Sequence, residues 1–312
     1  MPRRIRRVSV VIPARNSQPL IAGTVRAIFD QRVADVDVDV IVVDDGSTDE
    51  TAAVARGAGA RIVTIPADQT EGNPAAARNR GAAEATGDLV IFIDDDCTPA
   101  AGWLDAILSA HGGGAACVGG SLALPPGLPP SARLDYYSGW YHVHPKRPPG
   151  VVPNHPPGNI SVDRALFSST AGFTELQPIA YSHEELEWQA ELRQRGVRIV
   201  FEPRAVAYHR NRPGLGNLLR RNYRWAHSSI EIKAQTQIVR WPWLYRFPIS
   251  LVLLSFPLAF AHTGYIIGCW VRAGVFEPVL MLPGLLLARL AYATGMTVGG
   301  IRWLRRRRVA VR

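Results

Sequence analysis

Along the first two hundred residues, short runs of β-branched and aliphatic side chains alternate with stretches whose apolar positions recur every three or four residues. The first kind of run predicts strands at Val8–Ile12, Val38–Val43, Arg61–Ile65 and Leu89–Ile93. The second kind predicts helices at Leu20–Gln31, Thr48–Gly57, Pro74–Ala85 and Gly102–Ala110. Ser47 or Thr48 is placed to cap the second helix, with Asp49 and Glu50 at its positive end. Four strand–helix repeats imply an open, mostly parallel sheet with helices on both faces. In such sheets ligands bind beyond the carboxyl ends of the strands. Those ends carry Pro13 to Asn16, Asp44-Asp45 and Asp94-Asp95-Asp96. Residues 125–157 are proline-rich and hold Tyr136, Tyr137, Trp140 and Tyr141. So long a connection reads either as a lid over a site or as a tolerated insertion.

The pattern changes after residue 210. Leu215, Leu219, Tyr223, Ala226 and Ile230 recur at helical spacing, which predicts an apolar stripe lying on a bilayer. Phe247 to Val271 then contains no Asp, Glu, Lys or Arg, and ten Leu, Ile, Val or Phe fall between Ile249 and Ile267. Roughly 20 helical residues cross a bilayer core, so this stretch is long enough. Pro278 to Ile301 carries nine such residues together with Arg289, which offsets most of their gain. A buried helical hairpin is the competing reading of this region. The division expected is a catalytic domain over 1–210, a basic interfacial helix region over 211–246, and a hydrophobic hairpin with a basic tail over 247–312, giving one or two transmembrane helices.

Charge sharpens that picture. Thirty-five Lys and Arg against 26 Asp and Glu leave the 312-residue chain at +9. Nine of the cations lie between Arg204 and Arg246 beside a single acid, Glu231, and Arg302 with Arg305 to Arg308 follow the hairpin. The turn between its helices offers only Arg272, balanced by Glu277. The positive-inside rule then favours both ends at the cytoplasmic side. The excess is therefore read as orientation at a membrane, and no nucleic-acid partner is expected. At the N-terminus, Pro13 cuts the apolar run after five residues, too short for the core of a signal peptide. Cys97, Cys117 and Cys269 are too few and too scattered for a disulfide framework, as in a reducing compartment.

Three features carry candidate chemistry. No G-x-G-x-x-G follows the first strand and no G-x-x-x-x-G-K-[ST] occurs, which removes the main support for dinucleotide oxidoreductases and phosphate-loop NTPases. Asp94, Asp95 and Asp96 repel one another unless a cation neutralises them, and in extended chain Asp94 and Asp96 point to one side. Two such carboxylates with substrate phosphates suit Mg²⁺. Asp44-Asp45-Gly46-Ser47 ends another strand, where carboxylates can accept from a base or ribose; the same residues are also ordinary turn formers. Ser182-His183-Glu184-Glu185 opens a helix running to Arg195, and a carboxylate there suits a general base, or simply complements the helix dipole.

Together these segments resemble an inverting family-2 glycosyltransferase of the GT-A fold, over about residues 8–210. Val8-Ser-Val-Val-Ile-Pro-Ala-Arg-Asn16 is similar to the family's opening strand and nucleotide loop, which assigns Pro13, Ala14, Arg15 and Asn16 to the donor. Ile41 to Asp49 resembles the segment that reads the base, with Asp45 in contact, and Ala77-Arg78-Asn79-Arg80-Gly81 the helix start near the donor phosphates. Asp94-Asp95-Asp96 matches the D-x-D motif, Asp96 being the more direct metal ligand, and Asp94 and Asp95 also facing the donor. Pro157-Gly158-Asn159-Ile160 and Gly172-Phe173 resemble the approach to the acceptor side. Glu184-Glu185 falls where the family has Glu-Asp, the second acid being the base, so Glu185 is one methylene longer than usual. His209 matches a late histidine that approaches the metal or diphosphate. Arg221-x-x-Arg224-Trp225 resembles the Gln-x-x-Arg-Trp motif of membrane-bound polysaccharide synthases, with arginines that can hold a diphosphate or lipid phosphate.

The resemblance implies a Rossmann-like, GT-A nucleotide-diphospho-sugar transferase followed by a helical membrane-associated region. It implies a nucleotide-diphosphate sugar donor, a lipid-linked or glycan acceptor, Mg²⁺ or Mn²⁺ at Asp94, Asp96 and His209, and work at the cytoplasmic membrane face in envelope glycan or glycolipid synthesis. The alternatives are a polyprenyl-phosphate glycosyl synthase, which needs no general base, and a non-catalytic membrane scaffold that keeps the fold.

Overall fold

The computed structural model describes residues 4–69, 72–175, 183–239 and 242–310, the side chains of residues 248 and 306–310 excepted. Ser182 and the side chains of Arg306 to Arg308 lie outside the described residues. The chain divides into two compact units, one of residues 1–125, 143–175 and 187–209, the other of residues 126–142, 176–186 and 210–312.

The first unit begins with the anticipated repeats: β1 (Arg7–Ala14), α1 (Gln18–Phe29), β2 (Asp37–Asp45), α2 (Thr51–Gly57), β3 (Arg61–Ile65), α3 (Pro74–Ala83) and β4 (Leu89–Ile93). The first four strands pair in parallel, with Val11 opposite both Ile41 and Phe92, so their carboxyl ends reach one edge. The side chains of β1, β4 and the second half of β2 are buried on both faces, as a parallel sheet between helices requires, whereas β3, at the edge of the sheet, is only half-buried. Helix α2 starts three residues later than the capping reading had it. Neither Ser47 nor Thr48 caps it; the Asp49 carboxylate accepts from Thr51 N–H at 3.1 Å instead.

Beyond β4 the sheet becomes mixed. β5 (Cys97–Pro99), α4 (Trp103–Gly112) and β6 (Cys117–Ala123) are followed by the excursion that contains α5 (Pro130–Gly139). Then come β7 (Gly150–Val152), β8 (Asn159–Asp163), α6 (Arg164–Ser168), α7 (Glu185–Gln194) and β9 (Ile199–His209). The strand order is β3-β2-β1-β4-β8-β6-β9-β5, with β7 also on β9; β8 runs antiparallel to both β4 and β6, while β6 and β9 are parallel. Phe92, Phe167, Phe173 and Trp188 pack at ring-centroid distances of 5.0–5.3 Å, Phe92 with Phe173 and Phe167 with Trp188 edge to face and the other two pairs tilted, and fix α6 and α7 to this half. Residues 125–157, read from sequence as a lid or a tolerated insertion, contain α5 and β7.

The second unit is helical: α5, then α8 (Leu215–Ser228), α9 (Ile230–Thr236), α10 (Pro242–Arg246), α11 (Pro248–Arg272), α12 (Glu277–Leu280) and α13 (Leu282–Ala310). Ile249–Arg272 and Leu282–Arg305 are each long and apolar enough to cross a membrane. The bilayer stripe expected on α8 is displaced. Leu215 is exposed, whereas Leu218, Asn222, Ala226 and Ile230 are buried, and Ala226 and Ile230 meet Gly295 and Gly299 of α13. Small residues at those two positions let the helices approach closely. Glu277 does not balance Arg272: it accepts from Arg133 of α5 (Nε at 2.6 Å) and from Tyr137 Oη at 2.6 Å, and the Arg133 guanidinium holds its carboxyl below the usual range.

Candidate active site at the carboxyl ends of the strands

The loop after β1 turns through Asn16, whose φ of 53° lies in the left-handed region that Asn tolerates. Its amide oxygen accepts from Thr48 N at 2.8 Å, and its own N–H donates to Ser47 Oγ at 3.0 Å. The loops after β1 and β2 are therefore stitched into one rim. Asp44 accepts from Ser47 N at 3.1 Å, and Asp44 and Asp45 are both buried beneath the rim. Ala14 is buried beside them, and Arg15 stands exposed, its guanidinium against Gly72.

The three aspartates after β4 are pulled in different directions. Asp94 is bound to Arg78 of α3, Oδ1 to Nη2 at 2.6 Å, and the guanidinium lies 5.7 Å from the Phe173 ring centroid. Arg78 is 4% exposed, Asp94 29%, so the pair presents its carboxylate outward. Asp95 faces inward: its carboxylate accepts from Ser17 Oγ and its carbonyl from Thr24 Oγ1 at 3.0 Å. It joins α1 to the motif, a role that its place in the acidic run did not reveal. Asp96 lies 3.6 Å from His209 Nε2, brought there because β5 pairs antiparallel with β9, Cys97 opposite His209. Asp94, expected on the same ion as Asp96, also bonds Arg78 through Oδ1.

Asp96, Cys97 and His209 bring one ligand atom each within 4.8 Å of one another. Cys97 is fully buried, and burial together with Asp96, Asp94 and Asp95 pushes its thiol well up. The carboxylate oxygen and the imidazole nitrogen are the donors suited to Mg²⁺ or Mn²⁺ when phosphate oxygens complete the shell.

Gly158 presses on this cluster. A Cβ there would lie 2.5 Å from Asp94 Oδ2, so only glycine leaves the carboxylate in place. The following residue differs from expectation. Asn159 is fully buried, donating to Ser121 O and Ala205 O at 2.9 Å each and accepting from Trp103 Nε1 at 2.9 Å. Its amide cross-links β6, β8 and β9. Gly172 and Phe173 instead line a cavity of about 430 Å³ with Asn79, Glu187 and Trp188. Trp188 Nε1 is buried without a hydrogen-bond partner among the described residues, a donor that the sequence reading missed. Its place four residues after Glu184, one helical turn on, was the available signal.

Glu184 and Glu185 stand at the start of α7 and are 7% and 8% exposed. His183, just before them, takes a positive φ of 73°. In the helical unit, Arg221 is paired with the buried Asp135, which also accepts from Asn211 at 2.7 Å, and its guanidinium lies 4.5 Å from the Trp225 ring centroid. Trp225 meets Trp140 edge to face at 6.2 Å, and Arg224 is exposed. Arg221 is accordingly engaged within its own unit.

A parallel sheet whose strand ends gather buried aspartates, a D-x-D cluster facing a histidine, and an arginine on the first aspartate define a nucleotide-sugar transferase of the GT-A fold. The chain belongs to glycosyl transferase family 2, whose model matches residues 9–169, just over half its length. It is 26% identical over 234 residues to the glycosyltransferase AglE of Haloferax volcanii, covering 72% of this chain and 73% of that one. It is 30% identical over 228 residues to the pre-mycofactocin glycosyltransferase of Mycobacterium tuberculosis, covering 69% of this chain but only 45% of that relative. Among solved structures it resembles the mannosyltransferase PcManGT from Pyrobaculum calidifontis, in complex with GDP-Man and Mn²⁺. That likeness has a TM-score of 0.58 at 19% identity and covers 93% of this chain and 87% of the other.

Proposed function

We propose that the chain is an inverting, metal-dependent glycosyltransferase at the cytoplasmic face of a membrane, moving a sugar from a nucleotide diphosphate to an acceptor hydroxyl in envelope glycan or glycolipid synthesis. The observation that carries this reading is the juxtaposition of Asp96 with His209 beside the outward-facing Asp94–Arg78 pair. The rim made by Asn16, Ser47 and Thr48 over Asp45 would hold the base and ribose. Asp96 and His209 would hold Mg²⁺ or Mn²⁺, which supplies Lewis-acid stabilisation to the departing diphosphate. Arg78 keeps Asp94 oriented toward the donor and tempers the repulsion among three carboxylates. Glu185, at the positive end of α7, takes the proton of the acceptor hydroxyl as that oxygen attacks the anomeric carbon in line. The relatives' activities, glycosyl transfer in each case, support the class, and the Mn²⁺ in the mannosyltransferase complex supports the cofactor.

The test has two stages. UDP-, GDP- and dTDP-sugars are first screened for hydrolysis with Mg²⁺ or Mn²⁺, which should yield activity with one nucleotide and none after chelation. Glu185→Gln is then expected to lower turnover by about 10²–10⁴-fold with donor affinity unchanged. Full turnover in that variant would remove the general base and favour direct attack by an acceptor phosphate.

A further inference from the structure

The two helices with enough length and apolarity to cross a bilayer are not free of polar neighbours. One face of α13 is covered by other helices of its own unit from Gly284 to Gly299. Gly284 abuts Leu134 of α5. Arg289 donates to Asn222 Oδ1 of α8 and lies 3.5 Å from Ser138 Oγ of α5. Lys233 Nζ of α9 is 2.9 Å from Tyr292 Oη, and Gly295 and Gly299 receive the backbone and side chains of α8 and α9. At 1.5 Å per residue this cover extends about 22 Å along the helix. That is most of a hydrocarbon core of about 30 Å.

The covering helices bring ions with them: Arg133, Asp135, Arg221 and Lys233. Each charge held at the centre of a bilayer would cost about 2.5–3.5 kcal/mol. The turn after α11 is also tied to α5, through Glu277 to Arg133 and Tyr137 and through Trp270 Nε1 to Tyr137 O at 3.0 Å. Carrying that turn across a membrane would carry α5 with it. The residues leading into α5, Leu124-Pro-Pro-Gly-Leu-Pro129, form no helix or strand, and lipid leaves the polar groups of such backbone unsatisfied.

The rest of α11 offers the opposite surface. While Leu251, Ala259 and Ile266 are buried, Ile249, Leu253, Phe256 and Phe260 recur at four, three and four residues and are all exposed. Leu280, beside the turn, is 85% exposed. Arg246, Arg272, Arg302 and Arg305, at the helix ends, are exposed as well. An apolar stripe framed by arginines is complementary to one leaflet: side chains at the acyl boundary, guanidinium groups among anionic headgroups.

We infer that α11 and α13 lie half-embedded in a single anionic leaflet and do not cross the bilayer, so that the 273–281 turn stays on the same side as both helix ends. This inference rests on the membrane-association part of the proposed function and is independent of the transfer chemistry. The full chain carrying Cys269→Ala is given one accessible cysteine by Arg246→Cys or by Arg272→Cys, since Cys97 and Cys117 are buried. Sealed inside-out membrane vesicles from the expressing cells are treated with a membrane-impermeant maleimide before and after detergent. Equal labelling of both positions in sealed vesicles is the expected result. Labelling of position 272 only after detergent, or its protection throughout, overturns the inference. Protein found free of the vesicles overturns membrane association too, while leaving sugar-nucleotide hydrolysis as the separate test of the catalytic reading.

Discussion

Both units bury charged side chains, but they do so to different ends. In the sheet unit the buried arginine, Arg78, has a partner that opens toward solvent, and Asp96 and His209 likewise leave an edge accessible. In the helical unit the ions face one another: Asp135 takes both Arg221 and Asn211, and Arg289 is held by Asn222 and Ser138, while Arg221 Nε and Arg289 Nε have no hydrogen-bond partner among the described residues. Groups that face one another within the packing fix it, whereas a pair with one exposed edge can meet a ligand. Burial of charge is therefore no marker of a site until the free side of each group is identified.

The largest effect expected from breaking this contrast lies at Arg221. Arg221→Met leaves Asp135 buried beside Asn211 with no cation paired to it and should destabilise the protein by about 3–5 kcal/mol. Adding Asp135→Leu removes the stranded charge and should restore most of that loss, read as a recovered urea midpoint. Turnover tells the two roles apart. If the stable double variant transfers sugar, Arg221 is scaffold; if it is stable but inactive, the arginine handles a phosphate after all.

Two glycines sharpen the comparison at the next level. Gly158→Ala drives a methyl group toward the Asp94 carboxylate, and displacements of about 1 Å at such a centre cost on the order of 10²-fold in rate. Gly295→Ala in the helical unit meets the Tyr223 backbone and Ala226 instead, with an overpacking cost of about 1–3 kcal/mol. The first variant should lose turnover with little change in melting temperature, and the second the reverse. An exchange of those outcomes would dissolve the division between site and scaffold.

The same division explains what the sequence disclosed. Strands β1 to β4 were legible to within two residues at each end because aliphatic runs, buried on both faces in β1 and β4, end in polar loops. β6 was not, because Gly119 and Gly120 interrupt its pattern to accommodate His155 and Asn159. The D-x-D run announced a charged site, but only the pairing of β5 with β9 sets His209 against Asp96, and only α1 shows that Asp95 faces inward. Asn159 looked functional from its neighbours, and the three bonds that tie it into the core come from three different segments. The apolar periodicity of α8 was real; what it faces, α13 in place of lipid, is not encoded in the period.

The smallest expected effect concerns protons in the sheet unit. His155 is wedged against Gly119, its Nδ1 at 2.9 Å from Pro156 O and its Nε2 at 2.7 Å from Gly120 O, and its backbone is clamped by the Gln189 amide. Burial pushes it down to about 4, against the pull of those two carbonyls; burial with Arg147 and Lys146 brings His144 to about 4 as well. Between that value and the ordinary 6.5, the unfolded chain binds protons that the folded chain refuses. Stability therefore rises with pH through this window and is lost on acidification. From pH 7 to 5 each histidine should contribute a loss of roughly 2 kcal/mol. His155→Gln, neutral throughout, should remove about half of the two-histidine dependence in urea unfolding. An unaltered dependence in that variant would place the titration in other groups, and the buried imidazole would then carry its proton in both states, shared between Pro156 and Gly120.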